Sequence, residues 1–186
     1  MSHSSVKHTF LTHEVVVLTG FSKYMLDYLA REDIFRPSDR KDGFPGSKRK
    51  YSFEDVVLLR ALKTICVGKG KIRHFARSLK NYRETFGPLL PGQQIEKFLV
   101  VQGNSLCACD SGEGPIDLIT GQRTLSFVVD LGMVVQDVGN HVILDPTTNE
   151  LQLTKAARMK ADAERERNWA PIRARRAKNQ STGRLR

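Results

Sequence analysis

The chain has 186 residues, 27% of them charged, with a formal net charge of +10 and a pI near 9.8. That length suffices for one domain or two small ones with a real core, and the charge favours an acidic polymer or surface as partner. Three cysteines exclude a disulfide framework, Asp130 interrupts the longest run that approaches a membrane span, and the polar start Met1-Ser-His-Ser-Ser does not read as a secretory signal.

The expected compartment is therefore the cytoplasm, with thiols reduced. Residues 1–86 hold 17 Lys/Arg against 9 Asp/Glu, a net of +8. Residues 87–154 hold 2 against 8, a net of −6, and residues 155–186 hold 11 against 3, again +8. The positive charge thus sits at the two ends of the chain, around an acidic middle.

The first eleven residues read as a leader ending in a short strand at His8 to Leu11. Two short helices follow around the turn Leu18-Thr-Gly20-Phe-Ser22. Thr12 is the expected cap of the first, Gly20 permits the turn, and Ser22 caps the second. The second helix, Lys23 to Arg31, sets Lys23, Tyr24, Asp27, Tyr28 and Arg31 against the apolar Met25, Leu26 and Leu29. A basic loop then carries Arg36, Arg40, Lys41, Lys48, Arg49 and Lys50, with Gly43, Pro45 and Gly46 for its reversal.

Ser52 and Asp55 form a capping box for a third helix whose Val56, Leu59, Leu62 and Ile65 recur at inward-facing spacing. Gly68 and Gly70 are expected to end it. A fourth helix, about 71–85, puts Ile72, Phe75, Ala76 and Leu79 on one face, and Gly87-Pro-Leu-Leu-Pro-Gly92 marks a domain boundary.

The segments 95–102, 106–109, 116–120, 125–131 and 142–144 are short and rich in branched residues, which predicts a β-rich module over 87–154. Helical stretches around 93–100 or 126–135 are the alternative, because short apolar runs are ambiguous. From Thr154 a basic helix is expected to about Asn168, then a tail broken by Pro171.

The order of the N-terminal pieces resembles the MerR-type winged helix-turn-helix family over about residues 12–82. Leu18-Thr-Gly20-Phe-Ser22 is similar to the family's turn, Ile34-Phe35-Arg36-Pro37 to its exit into the wing, and Arg49-Lys-Tyr51-Ser52 to its lead-in to the third helix. Asp27 stands where the family usually has an arginine facing the phosphates, and Leu29 replaces a second aromatic. The resemblance implies a winged helix-turn-helix over 1–86. The β-rich module departs from the long dimerising helix usual in that family, and without sustained heptads it is the expected dimerisation or effector unit; with a basic C-terminal arm over 155–186 the expected fold is α+β.

The resemblance also implies sequence-specific binding of double-stranded DNA by a bacterial transcriptional regulator acting as a homodimer, with RNA polymerase or a cognate protein as a further partner. The DNA contacts would then be Ser22, Lys23, Tyr24, Asp27, Tyr28, Arg31, Arg36, Arg40, Lys41, Lys48, Arg49 and Lys50. Among these, Tyr28 matches the family's DNA-contacting tyrosine and Arg49 its wing arginine. Against this stands burial of Tyr24 and Tyr28 between helices, and a wing that is only a solvated loop.

Other constellations carry less. Arg173, Arg175, Arg176 and Lys178 of the tail can follow DNA phosphates, while Trp169 and Ile172 can dock on a partner. Cys107 and Cys109 supply two soft ligands where a closed zinc site needs four, so shared packing on a strand face is the plainer reading. Gly68-Lys-Gly-Lys71 lacks the end of a phosphate loop. Adjacent carboxylates such as Glu54/Asp55 diverge on a helix and suit capping, so no enzyme and no cofactor are expected. Other readings open at this point are an autoregulating antitoxin, a phage excision or packaging factor, an RNA- or ribosome-associated protein, and an effector sensor.

Overall fold

The structure is a computed structural model that describes residues 9–37, 49–66, 72–73, 75, 89–91, 98–102, 105–109, 127–148 and 150–182. For 102, 105, 107, 109, 127 and 175–182 it describes the backbone alone.

Strand β1 (Thr9–Leu11) pairs antiparallel with β2 (Lys50–Ser52), setting Phe10 opposite Tyr51. Each strand runs directly into a helix, α1 (Thr12–Thr19) and α3 (Phe53–Ile65). The ladder therefore holds two helix N-termini side by side, although 38 residues of sequence separate Leu11 from Lys50. The α3 start is the expected capping box: Ser52 Oγ accepts from the Asp55 N–H at 3.1 Å, and the Ser52 N–H donates to Asp55 Oδ2 at 2.9 Å. Val56, Leu59 and Leu62 are buried as their spacing requires, and Ile65 packs half-buried against the core.

The start of α1 differs from the sequence reading. Leu11, not Thr12, occupies the cap, because β1 pairing extends through Leu11. Its N–H donates to Glu14 Oε2 at 2.7 Å, which ties the cap residue to a carboxylate in the first turn, and no threonine hydroxyl takes the cap role. At the other end Gly20 adopts φ 74°, the left-handed conformation that closes the helix. Thr19 is fully buried there and fully satisfied: its hydroxyl donates to the Val15 carbonyl at 2.7 Å and accepts from the Phe21 N–H at 3.2 Å.

Helix α2 (Lys23–Arg31) starts on Ser22, whose Oγ accepts from the Met25 N–H at 3.2 Å. After α2 the chain turns through Asp33 at φ 55°, and the Ile34 and Phe35 N–H groups both reach the Leu29 carbonyl. Ile34 and Phe35 are buried as a result, which anchors the start of the basic loop.

In the middle of the chain, β3 (Phe98–Gln102) lies between β4 (Ser105–Cys109) and β5 (Phe127–Asp130), antiparallel to both. β3 and β5 fall inside predicted β-rich runs and β4 starts one residue before its run at Ser105; the run 116–120 lies outside the described residues. The ambiguous segment 126–135 divides at Asp130, whose carboxylate accepts from the Met133 N–H and starts α4 (Leu131–Gly139). The hairpin β6 (Val142–Asp145) with β7 (Glu150–Leu153) follows, turned by Asp145 accepting from the Thr147 N–H at 2.8 Å. Strand β7 carries no sequence prediction, although Glu150-Leu-Gln-Leu153 alternates polar and apolar and buries both leucines.

The C-terminal segment is also corrected. A helix to about 168 and a broken tail were expected, but α5 runs unbroken from Lys155 to Thr182 with Pro171 inside it. The strong helix formers Ala170, Ala174, Arg175, Arg176, Ala177 and Lys178 flank the proline and offset its missing N–H. The first half of α5 packs on α1 and buries Ala157 and Ala161, side chains small enough for close helix approach. Helix α3 meanwhile packs on α4, with Arg60 and Asp137 joined at 2.9 Å. One hydrophobic core runs from Phe10 through α3 and the middle strands to Ala161.

Of the fourth predicted helix, only Ile72, Arg73 and Phe75 are described. All three are helical, and Phe75 is buried. The glycines 68 and 70 lie outside the described residues, and α3 already closes at Ile65 with Cys66 as its cap.

Candidate nucleic-acid interface

Helix α2 is sharply two-sided. Leu26 and Leu29 are buried and Met25 and Tyr28 pack half-buried against the core, while Ser22, Lys23, Tyr24 and Arg31 face outward. Spacing of three and four residues between the apolar positions places them on one stripe, so the polar residues must occupy the opposite face. The two tyrosines separate at this point. Tyr24 is 74% exposed and cannot be a packing residue, whereas Tyr28 takes part in the core with one edge outward.

The basic loop returns beside α2 at its far end. Arg49, immediately before β2, donates from Nη1 to Asp27 Oδ1 at 2.6 Å. The second oxygen of the same carboxylate takes Lys23 Nζ at 2.7 Å. Partial burial pushes the Asp27 pKa up, but the hydrogen bonds and charges of Lys23 and Arg49 outweigh it and hold the carboxyl below its ordinary value. Tyr51, on β2, is buried, and that burial raises its phenol pKa against the lowering influence of the Arg49 guanidinium.

Three further cations also lie against carboxylates. Arg36 pairs with Asp33, Arg31 lies 3.3 Å from Glu32, and Arg73 lies 3.5 Å from the other oxygen of Glu32. Lys50 is exposed at the start of β2. Arg40, Lys41 and Lys48 lie outside the described residues. The sequence reading missed the carboxylate partners. The spacing of four between Lys23 and Asp27 signals their pairing, but nothing local connects Arg49 to Asp27.

On α5, Arg173 is exposed and bonds Glu166 at 2.6 Å, while Trp169 and Ile172 are also exposed. Arg175, Arg176 and Lys178 lie on the last turns of the same helix. Cys107 and Cys109 take alternate positions of β4, opposite Val100 and Phe98, and so share a face of that strand. Among the described residues no group of three His, Cys, Asp or Glu side chains could hold a metal ion. Cys66 is half-buried, and that burial raises its thiol pKa. Among the described residues no helix is long and apolar enough to cross a membrane.

No protein-family profile matches the chain. It is 30% identical over 105 residues to an uncharacterized HTH-type transcriptional regulator of Mycobacterium tuberculosis, and equally to one of Mycobacterium bovis. The matched segment covers 56% of this chain and 44% of each relative, so the chain spans less than half the length of the curated relatives it matches. Those relatives bear a helix-turn-helix name, and α1, the Gly20 turn and α2 have that arrangement here.

Proposed function

We propose that the protein is a DNA-binding transcriptional regulator that places α2 in the major groove of double-stranded DNA. The observation that carries this reading is the two-sided α2: a buried Leu26/Leu29 stripe holds the helix rigidly while Lys23, Tyr24 and Arg31 stand outward. A helix so presented has the dimensions the major groove admits, and lysine and arginine are suited to guanine acceptors and phosphates. The HTH-type name of the mycobacterial relatives supports the same reading.

In this proposal residues 1–86 form a MerR-like winged helix-turn-helix, with 36–50 as the wing over the DNA backbone. Residues 87–154 serve as a dimerisation or effector module, and α5 as a basic arm along the phosphates. The protein acts in the bacterial cytoplasm on the nucleoid, as a homodimer on a two-fold symmetric site.

The deciding experiment is selection of bound sequences from a pool of random duplex DNA, followed by salt titration on the selected site. Enrichment of a defined motif is expected. Replacing Lys48, Arg49 and Lys50 together by alanine should flatten the salt dependence by about one unit of slope per lost phosphate contact. No enrichment, with structured RNA bound more tightly than any duplex at equal salt, overturns the reading.

A further inference from the structure

The carboxylate of Asp27 lies on the face proposed to meet DNA, where a negative charge repels phosphate. It is neither a helix cap nor a core group: Ser22 caps α2, and Leu26 and Leu29 anchor it. Its two oxygens are divided between two cations from different elements, Lys23 one turn earlier on α2 and Arg49 at the foot of the basic loop. All three side chains are roughly one-third to one-half exposed, so the cluster sits at the surface.

Two consequences follow from charge and geometry. The carboxylate cancels one of the two positive charges, which weakens attraction to phosphates of any sequence. It also fixes direction. The guanidinium has five N–H donors in a rigid fork and the ammonium three, so each cation keeps donors to offer while Asp27 holds its position. Cations held this way reach an acceptor in one place and lose the freedom to settle on the nearest phosphate.

From this juxtaposition we infer that Asp27 is a specificity-determining residue, which holds Lys23 and Arg49 for base or backbone acceptors of the correct site and suppresses binding to other duplexes. This rests on the DNA-binding reading above and adds to it the residue that separates specific from non-specific affinity.

The test compares the full chain with Asp27→Asn, and with Asp27→Ser as a second replacement should the first melt early. Binding is measured to the selected duplex and to a scrambled duplex of equal length over a series of salt concentrations. With both cations released, affinity for the scrambled duplex should rise about tenfold, and the salt slope should steepen by about one to two units, the share of one to two phosphate contacts. The ratio of specific to scrambled affinity should fall. In an Arg49→Gln background, Asp27→Asn should steepen the slope by about one unit at most.

Wild-type binding to the selected site, with slope and ratio unchanged in both Asp27 variants, overturns the inference and leaves the DNA-binding reading intact. Absence of wild-type binding to any duplex overturns both. A purely structural role for Asp27 would shift the melting temperature without moving the salt slope.

Discussion

Arg60 on α3 and Asp137 on α4 meet at 2.9 Å and join the N-terminal helices to the middle of the chain. The same Arg60 guanidinium lies 3.7 Å from where a Cβ on Gly20 would stand. One side chain therefore stands beside the turn between α1 and α2 and pairs with the helix that follows the three-stranded sheet. The Arg60 and Asp137 side chains are 36% and 46% exposed, so solvent screens the pair. A double-mutant cycle of Arg60→Ala and Asp137→Ala, read by chemical denaturation, should return a coupling of about 0.2–1 kcal/mol. A larger value would mean that the two halves depend on this contact more than exposed ion pairs allow.

Gly20 is needed for its backbone and not for space. Its φ of 74° is left-handed, and the nearest atom to an added Cβ is at an ordinary contact distance. Gly20→Ala should cost about 1–2 kcal/mol of stability, the left-handed penalty of an L-residue. Because the turn sets the angle of α2, DNA affinity should fall with it. Unchanged stability would show that the turn rearranges.

The two tyrosines of α2 should respond differently. Tyr24→Ala removes a side chain that is 74% exposed, so stability should move by less than about 0.5 kcal/mol while duplex affinity falls. Tyr28 packs against the core, so Tyr28→Ala should lower stability and affinity together. Thermal melts beside binding curves separate the two cases.

Asp27 also makes a pH prediction. Its carboxyl pKa is held below the unfolded value, so it contributes stability above the ordinary carboxylate range, and that stability is lost as pH falls through its folded-state pKa. Asp27→Asn should flatten the acid limb of a stability–pH profile and leave neutral and alkaline pH unaffected in shape. An acid limb identical to wild type would show that Lys23 and Arg49 do not hold the carboxylate in solution.

Pro171 lies within α5 with exposed neighbours on both sides. Its ring removes one helical hydrogen bond at a cost of about 3 kcal/mol in a helix interior. Pro171→Ala should therefore raise helical ellipticity and protect the amides of residues 172–182 from hydrogen exchange. No change in either would mean that the distal half of α5 is already as firm as the half resting on α1.

Much of the local structure was legible in the chain. Ser22 and Ser52 cap where small hydroxyl residues precede a helix, Gly20 breaks where a left-handed turn is needed, and Val56, Leu59 and Leu62 repeat at helical period. These signals act over one or two turns, within reach of sequence reasoning. The Thr12 cap failed because a remote strand, β2, extended β1 through Leu11. The proline break failed because the helix formers on either side of Pro171 outweigh the one hydrogen bond its ring removes.

By its own composition and spacing, the sequence determined a basic protein with a helix–turn–helix pair, a capped third helix and a strand-rich middle. Those features depend on residues a few positions apart, where propensity and periodicity decide. That Arg49 closes on Asp27, that Arg60 reaches Asp137 and that α5 rests on α1 is visible in the folded chain alone. Such pairings join residues 22 or more positions apart, and their geometry exists only once burial of a shared core has brought the elements together.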